Sequence, residues 1–284
     1  MPNEAKANEA PRLTGLQRLQ QDQRTTAELI ATALPAANVL AHTEQTNDDL
    51  LASYDALAVL HARGTRDVLE GALALCAAPE PRQRILGAAI LGELGSPERS
   101  YPEECCDALL NLVRHDRDPG VMMMAVSALG HLRNRRCEPE LIALKNHTDE
   151  EIRHNVAFAL CGTENPASVQ ALLELMEDPY DRARDWATTG IGQTVSIDGP
   201  EIRAALLRRA NDSDEITRAE ALHGLARRHD ERVVPFLIVE LQANSEREHL
   251  FQKAAQTFLG VDEESEIDSA ELLIALRSGS PRKH

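Results

Sequence analysis

The side chains best suited to chemistry in this chain are its five cysteines. Cys105 and Cys106 are adjacent, and neighbouring side chains on a helix point about 100° apart, which is poor geometry for two ligands of one metal ion. The other three, Cys76, Cys137 and Cys161, stand singly. An odd number of thiols that includes an adjacent pair favours reduced, structural cysteines and a cytoplasmic location.

Two of the ten histidines are the next candidates for a metal site. His147 and His154 are seven residues apart and flank Asp149, Glu150 and Glu151. However, His147 lies near the expected end of one helix and His154 within the next one. Because the chain also has no nucleophile elbow, phosphate loop, HExxH pair or CxxC knuckle, the sequence predicts no metal, no cofactor, no catalytic residue and no enzyme activity.

The charge balance restricts the class of partner. Lys and Arg total 30 and Asp and Glu total 46, which gives a formal charge of −16. This balance disfavours nucleic-acid binding, which depends on Lys and Arg displacing counterions from phosphates. It favours a basic protein partner. The N-terminus has no apolar signal core, and no apolar run approaches the ~20 residues of a membrane span, so no membrane association is expected.

The elements that must position any site are helices. Apolar residues recur three and four positions apart in 67–76, 168–176 and 201–210, and no segment alternates for long with period two. Gly, Pro, Asn and Asp separate these runs at short intervals. The pattern predicts an all-helical chain of short hairpins.

The second helix of each hairpin carries a repeated layout. Its anchor is an apolar residue near the helix end, and successive anchors lie 31 to 38 residues apart. The longest interval contains an inserted loop around Ser96 to Tyr101. The seven anchors are Leu60, Leu91, Leu129, Leu160, Ile191, Leu225 and Leu259.

Other positions repeat relative to the anchor. Four residues earlier the side chain is small or β-branched, which lets helices approach closely, and the residue after the anchor is Gly, Ala or Cys in most hairpins. An acid stands eleven residues before it, where a helix begins. Seven residues before it an arginine recurs, which predicts a ladder of ion pairs worth ~0–1 kcal/mol each if they are exposed. The arginines are Arg84, Arg153, Arg184 and Arg218, and the acids are Asp49, Glu80, Asp118, Asp149, Asp214 and Glu248.

The pattern D-x-x-x-R-x-x-A-x-x-x-L-G resembles HEAT repeats, particularly the short bacterial kind also seen in phycobilisome lyase-like proteins. Residues 149–161 and 214–226 match best, and the resemblance covers roughly 45–261, with Met122 and Gln252 in place of the arginine. It implies an all-α fold, a right-handed α-α superhelix or HEAT-like solenoid of about seven helical hairpins.

The expected organisation has three parts. Residues 1–25 form a polar N-terminal segment, 26–261 the repeat array, and 262–284 an acidic loop, a C-terminal capping helix and a basic tail. The apolar run at 233–239 is expected to be covered by the capping helix, with a second chain as the alternative.

In HEAT-like stacks the second helices line the concave side, so the resemblance implies a binding stripe at positions six before, two before and two after each anchor. Trp186, five before its anchor, is either a packing wedge between hairpins or an anchor for a partner. The candidate protein-binding residues are Met123, His131, His154, Phe158, Asp185, Trp186, Thr189 and His223.

These observations favour a non-enzymatic scaffold that holds a protein partner in its groove. Some HEAT-like proteins neutralise toxins, so the resemblance also suggests an inhibitor or immunity protein of a basic effector, for which the acidity is suitable. The alternative is an enzyme, either a HEAT-like lyase or a DNA-repair glycosylase. A third option is a subunit of a larger assembly, and the oligomeric state is not predicted.

Overall fold

The computed structural model describes residues 15–40, 50–243, 245–262 and 265–278. Within these ranges the regular elements are helical, and they contain no β-strand. The α-helices are α1 (Gly15–Gln20), α2 (Thr26–Ala33), α3 (Ala36–Leu40), α4 (Leu51–Arg63), α5 (Arg66–Cys76), α6 (Pro81–Glu93), α7 (Pro102–His115), α8 (Pro119–Leu132), α9 (Glu138–Ala143), α10 (Glu150–Leu160), α11 (Pro166–Leu175), α12 (Asp181–Thr189), α13 (Pro200–Arg209), α14 (Glu215–Arg227), α15 (Val234–Ala243), α16 (Glu248–Leu259) and α17 (Ser269–Ser278).

The chain divides into two compact units, Met1–Ala128 and Leu129–His284. In the first, α2 packs on α4, α5 on α6, and α6 on α7. In the second, the hairpins α11–α12, α13–α14 and α15–α16 stack so that α10, α12, α14 and α16 lie side by side. Each unit is thus built from stacked helical hairpins, and the predicted all-α, HEAT-like solenoid fold is confirmed.

The repeated apolar positions form the core. All seven anchors are buried, from Leu60 at 0% exposure to Leu259 at 6%. The residues one turn earlier are also buried, as with Ala56 and Ala255. One hairpin alone could not cover these positions, so each depends on its neighbours.

Side chains at the helix starts satisfy the backbone N–H groups that have no partner within the helix. The Asp149 carboxylate accepts a hydrogen bond from the N–H of Glu151, and Asp214 does the same for Thr217. The repeated acid is therefore an N-cap in these hairpins, as predicted. Asp49, the first acid of the series, lies outside the described residues.

The predicted arginine ladder exists, but its pairs are not exposed. Arg84, Arg153, Arg184 and Arg218 each pair with an acid 22 to 32 residues later, at N–O distances of 2.6 to 2.9 Å. The acid side chains are only 2–15% exposed. The ~0–1 kcal/mol expected for exposed pairs therefore does not apply to them, since these carboxylates depend on the guanidinium to compensate for lost water. The acids are Asp116, Asp178, Asp212 and Glu240.

Each ladder arginine also ties down its own hairpin. The Nη1 group of Arg153 donates to the carbonyls of His147 and Thr148 at 2.8 and 3.3 Å. The other three arginines bond the carbonyls five and six residues before them in the same way. One guanidinium therefore fixes the turn between the two helices of its own hairpin and also binds the carboxylate of the next hairpin.

The last hairpin departs from this scheme, as its sequence indicates. Gln252 stands at the arginine position, and its Nε2 donates to Ser269 Oγ of α17 at 3.0 Å. Helix α17 packs on α15 and α16 and buries Leu272 and Leu276. Within 233–239, Val233 and Leu237 are buried while Val239 is 65% exposed, so the run is covered in part, with the capping helix packed on α15.

The cysteine expectation holds only in part. Cys76, Cys105 and Cys161 are free thiols. Cys106 and Cys137 are disulfide-bonded, so the expectation that all five are reduced was wrong at these two. In the described part of the chain no group of three or more His, Cys, Asp or Glu side chains could hold a metal ion. None of the described helices is long and apolar enough to cross a membrane.

Candidate functional site

The candidate binding residues lie mainly on one side of the second unit, formed by α10, α12, α14 and α16, which we call the second-helix face. Two candidate residues at the position six before the anchor do not open onto it. Met123 of α8 and His154 of α10 are 6% and 7% exposed. The expectation that these two side chains face a partner is therefore wrong. The equivalent residue in α14, Ala219, is also buried, whereas Asp185 of α12 is half-buried and Lys253 of α16 is exposed. This position is therefore packed in α8, α10 and α14 and open in α16.

Positions two before and two after the anchor are more accessible. Phe158, Thr189 and His223 are half-buried, and His131 is exposed. These four candidate residues therefore have surface available to a partner. His223 Nε2 is 3.1 Å from Thr257 Oγ1 of the next second helix, which fixes the imidazole at the surface of α14 and α16.

Three rings form a continuous aromatic cluster, defined here as His131, Phe158 and Trp186. The ring centroids of His131 and Phe158 are 5.0 Å apart, and those of Phe158 and Trp186 are also 5.0 Å apart with the rings nearly perpendicular at 76°. This edge-on geometry is favourable for aromatic pairs. Trp186 of α12 contacts Phe158 of α10 and is half-buried, so part of its ring remains accessible.

Small residues bring these rings together. A Cβ on Gly130 would lie 2.7 Å from Ala159 Cα and 3.1 Å from Phe158 Cε1. The backbone at the end of α8 therefore touches α10, and no larger residue fits there. This close approach places the next residue, His131, against Phe158.

Asp185 lies beside the aromatic cluster in sequence and is the most perturbed acid of the face. Its Oδ1 is buried and accepts no hydrogen bond. Burial raises the pKa of Asp185 to about 7, and the negative charges of Glu220, Asp214 and Asp181 add to the effect. A carboxyl group in this state lacks a cation or donor to stabilise its charged form.

The helix that carries Asp185 and Trp186 ends irregularly. Beyond Thr189, α12 continues as a π-helical turn over Gly190–Thr194, a feature often found near functional sites. Gln193 in this turn donates through Nε2 to Glu220 of α14, and Arg227 donates to the carbonyl of Gly192 at 3.2 Å. The turn is therefore held to α14 by side chains from both helices.

His154 belongs instead to a polar network at the start of α10. Its Nδ1 is 3.4 Å from Glu151 Oε2, and the Tyr180 hydroxyl donates to Glu151 Oε1 at 2.6 Å. Burial alone would raise the pKa of Glu151, but the Tyr180 hydrogen bond and the Arg182 charge outweigh it and lower this pKa. Glu151 thus remains ionised, and the network connects α10 to the start of α12.

One residue of this face, Glu220, was not predicted, whereas Gln193 stands two residues after the anchor Ile191, on the predicted stripe. Glu220 and Gln193 join α12 to α14, and Glu220 also contributes to the raised pKa of Asp185. Glu220 is five residues before its anchor, the same position as Trp186. Aligning that position across hairpins would have indicated it.

Comparisons with known proteins agree with this architecture. Residues 106–192 match the family model of HEAT repeats. The chain is 26% identical over 204 residues to protein YibA of Escherichia coli strain K12. The aligned region covers 70% of this chain and 72% of YibA. The X-ray structure of E. coli YibA superposes with a TM-score of 0.63 at 21% identity, covering 93% of this chain and 99% of that one.

A further similar structure is the complex of CpcE and CpcF of phycocyanin lyase from Nostoc sp. PCC7120, at a TM-score of 0.47 and 17% identity, covering 98% of this chain and 97% of that one. Residues 106–192 thus match HEAT repeats, and the chain shares the fold of E. coli YibA.

Proposed function

We propose that the chain is a non-enzymatic scaffold that binds a protein partner on the second-helix face. The observation that carries the proposal is the aromatic cluster, whose three rings remain partly or fully exposed although the chain is only 3% aromatic. Aromatic side chains dominate the energetics of protein interfaces, and tryptophan is enriched among hot spots. Trp186, a half-buried ring at one end of the cluster, is the principal anchor.

The charge of the face favours a basic partner. Asp185 has a buried oxygen without a hydrogen-bond donor, and Glu220 lies near enough to raise its pKa. A lysine or arginine from a partner would supply the missing positive charge. The net charge of −16 adds long-range attraction for a basic protein. In its sharper form, the proposal is an inhibitor or immunity protein that sequesters a basic effector.

Affinity purification from the cells that express the chain tests the proposal, with bound proteins identified by mass spectrometry. The bait is compared with a Phe158→Ala, Trp186→Ala double variant. We expect a basic partner to be recovered by the wild type, and its affinity to fall by more than ~2 kcal/mol in the double variant because both anchors are truncated. Helicity, measured by far-ultraviolet circular dichroism, should stay near wild type.

Val239→Ala is the matched control, because it truncates an exposed apolar side chain on a first helix. It should not change partner recovery. Trp186→Phe keeps an aromatic ring in place and separates packing from binding if the double variant fails to fold. If the Trp186→Phe, Phe158→Leu double variant recovered the partner as well as the wild type does, the proposal would be contradicted. Recovery of acidic proteins alone, or salt-insensitive binding, would count against the sharper form.

The enzymatic alternatives make different predictions. A lyase should give bilin-dependent colour on co-expression, and a DNA-repair glycosylase should bind duplex DNA at low salt. The scaffold proposal predicts neither outcome, so these two assays discriminate the classes.

A further inference from the structure

A small cavity of about 70 Å³ lies near the start of the second unit, apart from the aromatic cluster. Its wall includes the turn after α8, which contributes Arg133 and Arg135, and the loop after α10, which contributes Cys161 and Thr163. Glu138 at the start of α9 completes the polar part of the wall. Two arginines that are two positions apart therefore line one cavity in a strongly acidic chain.

Neither of these guanidinium groups forms an ion pair with a residue that the structure describes. This contrasts with the ladder arginines of the same unit, each of which binds a carboxylate at 2.9 Å or less. Arg133 and Arg135 are both exposed. Their positive charges are thus available to a ligand.

The acid in the wall, Glu138, forms no ion pair with either arginine. Glu138 is 9% exposed, and its oxygens accept hydrogen bonds from Thr163 Oγ1 at 3.1 Å, Asn165 Nδ2 at 2.6 Å and Ser168 Oγ at 3.2 Å. Three neutral donors therefore occupy its carboxylate. Cys161 adds no negative charge, because burial raises the pKa of its thiol to about 12.

The backbone directs Arg133 towards this cavity. Its φ of 50° is left-handed, which is uncommon for a residue other than Gly. Across the cavity wall Gly162 also has a positive φ of 80°, and a Cβ there would lie 4.0 Å from Arg133 Nη1. The missing side chain at Gly162 leaves the guanidinium in contact with open space.

We propose that this cavity binds a phosphate group through Arg133 and Arg135. Arginine presents planar, bidentate N–H donors that match phosphate oxygens. The two guanidinium groups carry a charge of +2 against the single carboxylate of Glu138, so the wall keeps a net positive charge. This charge favours a phosphate monoester, which carries about −1.5 to −2 near pH 7. A ligand with a single carboxylate group would leave one of the two guanidinium groups without a partner.

The size of the cavity limits what it encloses. On this measure a space of roughly 10–15 Å³ holds one water molecule, so about 70 Å³ accommodates a group the size of a phosphate. Anything attached to the phosphate must extend into solvent. The phosphate can therefore come from a free anion or from a phosphorylated peptide.

Isothermal titration calorimetry on the full chain at low ionic strength tests the site, with inorganic phosphate and with acetate as probes. We expect phosphate to bind with a Kd of about 1 mM or below, and acetate at least about tenfold more weakly because it carries one charge. The Arg133→Gln, Arg135→Gln variant should bind phosphate at least about tenfold more weakly than wild type. Its melting temperature without ligand should be unchanged, since both side chains are exposed and unpaired.

Arg277→Gln is the matched control, because it removes an exposed arginine on α17 outside the cavity; it should bind phosphate as wild type does. Equal binding by the double variant, equal weakening by Arg277→Gln, or acetate as strong as phosphate would each overturn the proposal. If the double variant does not fold, Arg135→Gln alone serves the same comparison.

A phosphoserine peptide and its unphosphorylated form identify the source of the phosphate. Tighter binding of the phosphopeptide than of inorganic phosphate indicates a phosphorylated peptide, and equal binding indicates a free anion. Both outcomes support the site.

Discussion

Asp178 has only 6% of its side chain exposed, and its two oxygens accept hydrogen bonds from Arg153 at 2.7 and 2.9 Å. Its Oδ1 also accepts the backbone N–H of Tyr180. The carboxylate is therefore stabilised by one cation and one amide. Removing the cation would leave a buried charge with a single neutral donor, which is much more costly than losing an exposed pair.

We expect Arg153→Ala to lower the free energy of unfolding by about 3 kcal/mol. Urea denaturation followed by circular dichroism measures the change. Arg208→Ala is the control, because its pair with Glu177 is about half exposed on both sides, and its cost should be below ~1 kcal/mol. Similar losses in the two variants would show that burial of the acid does not decide the energy.

Asp185 makes stability depend on pH. Its pKa is about 7 in the folded chain against an ordinary value of 3.8, so the folded state binds the proton more tightly than the unfolded state. Stability is then greatest below the unfolded pKa and falls as pH rises from about 4 through 7. Three pKa units set an upper limit of about 4 kcal/mol on this loss.

Asp185→Asn keeps the shape and removes the ionisation. We expect the variant to become progressively more stable than wild type between pH 5 and 8, as denaturation midpoints at several pH values would show. Glu177→Asn, at an exposed acid, should leave the pH profile as in wild type. Parallel profiles for wild type and Asp185→Asn would contradict the raised pKa.

The limits of residue-level prediction are visible at the binding stripe. Spacing from the anchor correctly placed Phe158 and His223 at accessible positions, because these positions share one helix face. It failed for Met123 and His154, because burial at the position six before the anchor differs between hairpins. Lys253 at the same position of α16 is exposed. The ion-pair acids were also missed, because the partner of Arg153 is 25 residues away and no local spacing indicates which turn will meet it.

At the scale of the element, α12 and α14 approach closely at two glycines. A Cβ on Gly224 would lie 2.6 Å from Gly192 Cα and 3.0 Å from Leu206 Cδ2. The guanidinium of Arg228 closes this junction, with bonds of 2.8 to 3.1 Å to the carbonyls of Ile191 and Gly192. Backbone contact and a buried arginine thus hold the π-helical turn against α14.

Gly224→Ala should destabilise the chain by about 2 kcal/mol, because the added methyl group must push α12 and α14 apart. Thermal or urea unfolding measures the loss, and crystal structures of the variant would show the helix separation. Gly199→Ala is the control, since a Cβ there meets nothing within 4 Å, and it should change stability little. If Gly224→Ala were as stable as Gly199→Ala, the contact would not limit the packing.

Element type and order were predictable because apolar periodicity and helix caps are local signals. The runs at 67–76, 168–176 and 201–210 correspond to α5, α11 and α13 within one or two residues. The π-helical turn at Gly190–Thr194 was not predictable, because it depends on contacts from α14. The division after Ala128 falls within α8, where no change in composition marks it.

At the scale of the whole molecule, the charge of −16 predicts how a basic partner associates. We expect the association rate constant to fall steeply as NaCl rises from about 0.05 to 0.5 M, because the screening length drops below ~10 Å. The dissociation rate should change less, since it reflects contacts at the aromatic cluster. Stopped-flow fluorescence of Trp186, the only tryptophan in the chain, measures both rates, and a salt-independent association rate would contradict electrostatic steering.

The arginine ladder also has an evolutionary consequence. Arg153 and Arg184 each recognise a feature of their own turn and a carboxylate of the hairpin that follows. A duplicated hairpin inserted in frame would bring both the arginine and the carboxylate with it. Its arginine would pair with the acid of the following hairpin, and its acid with the arginine of the preceding one. The gene can therefore lengthen or shorten by whole hairpins, whereas an insertion of part of a hairpin would strand a buried charge and be lost to selection.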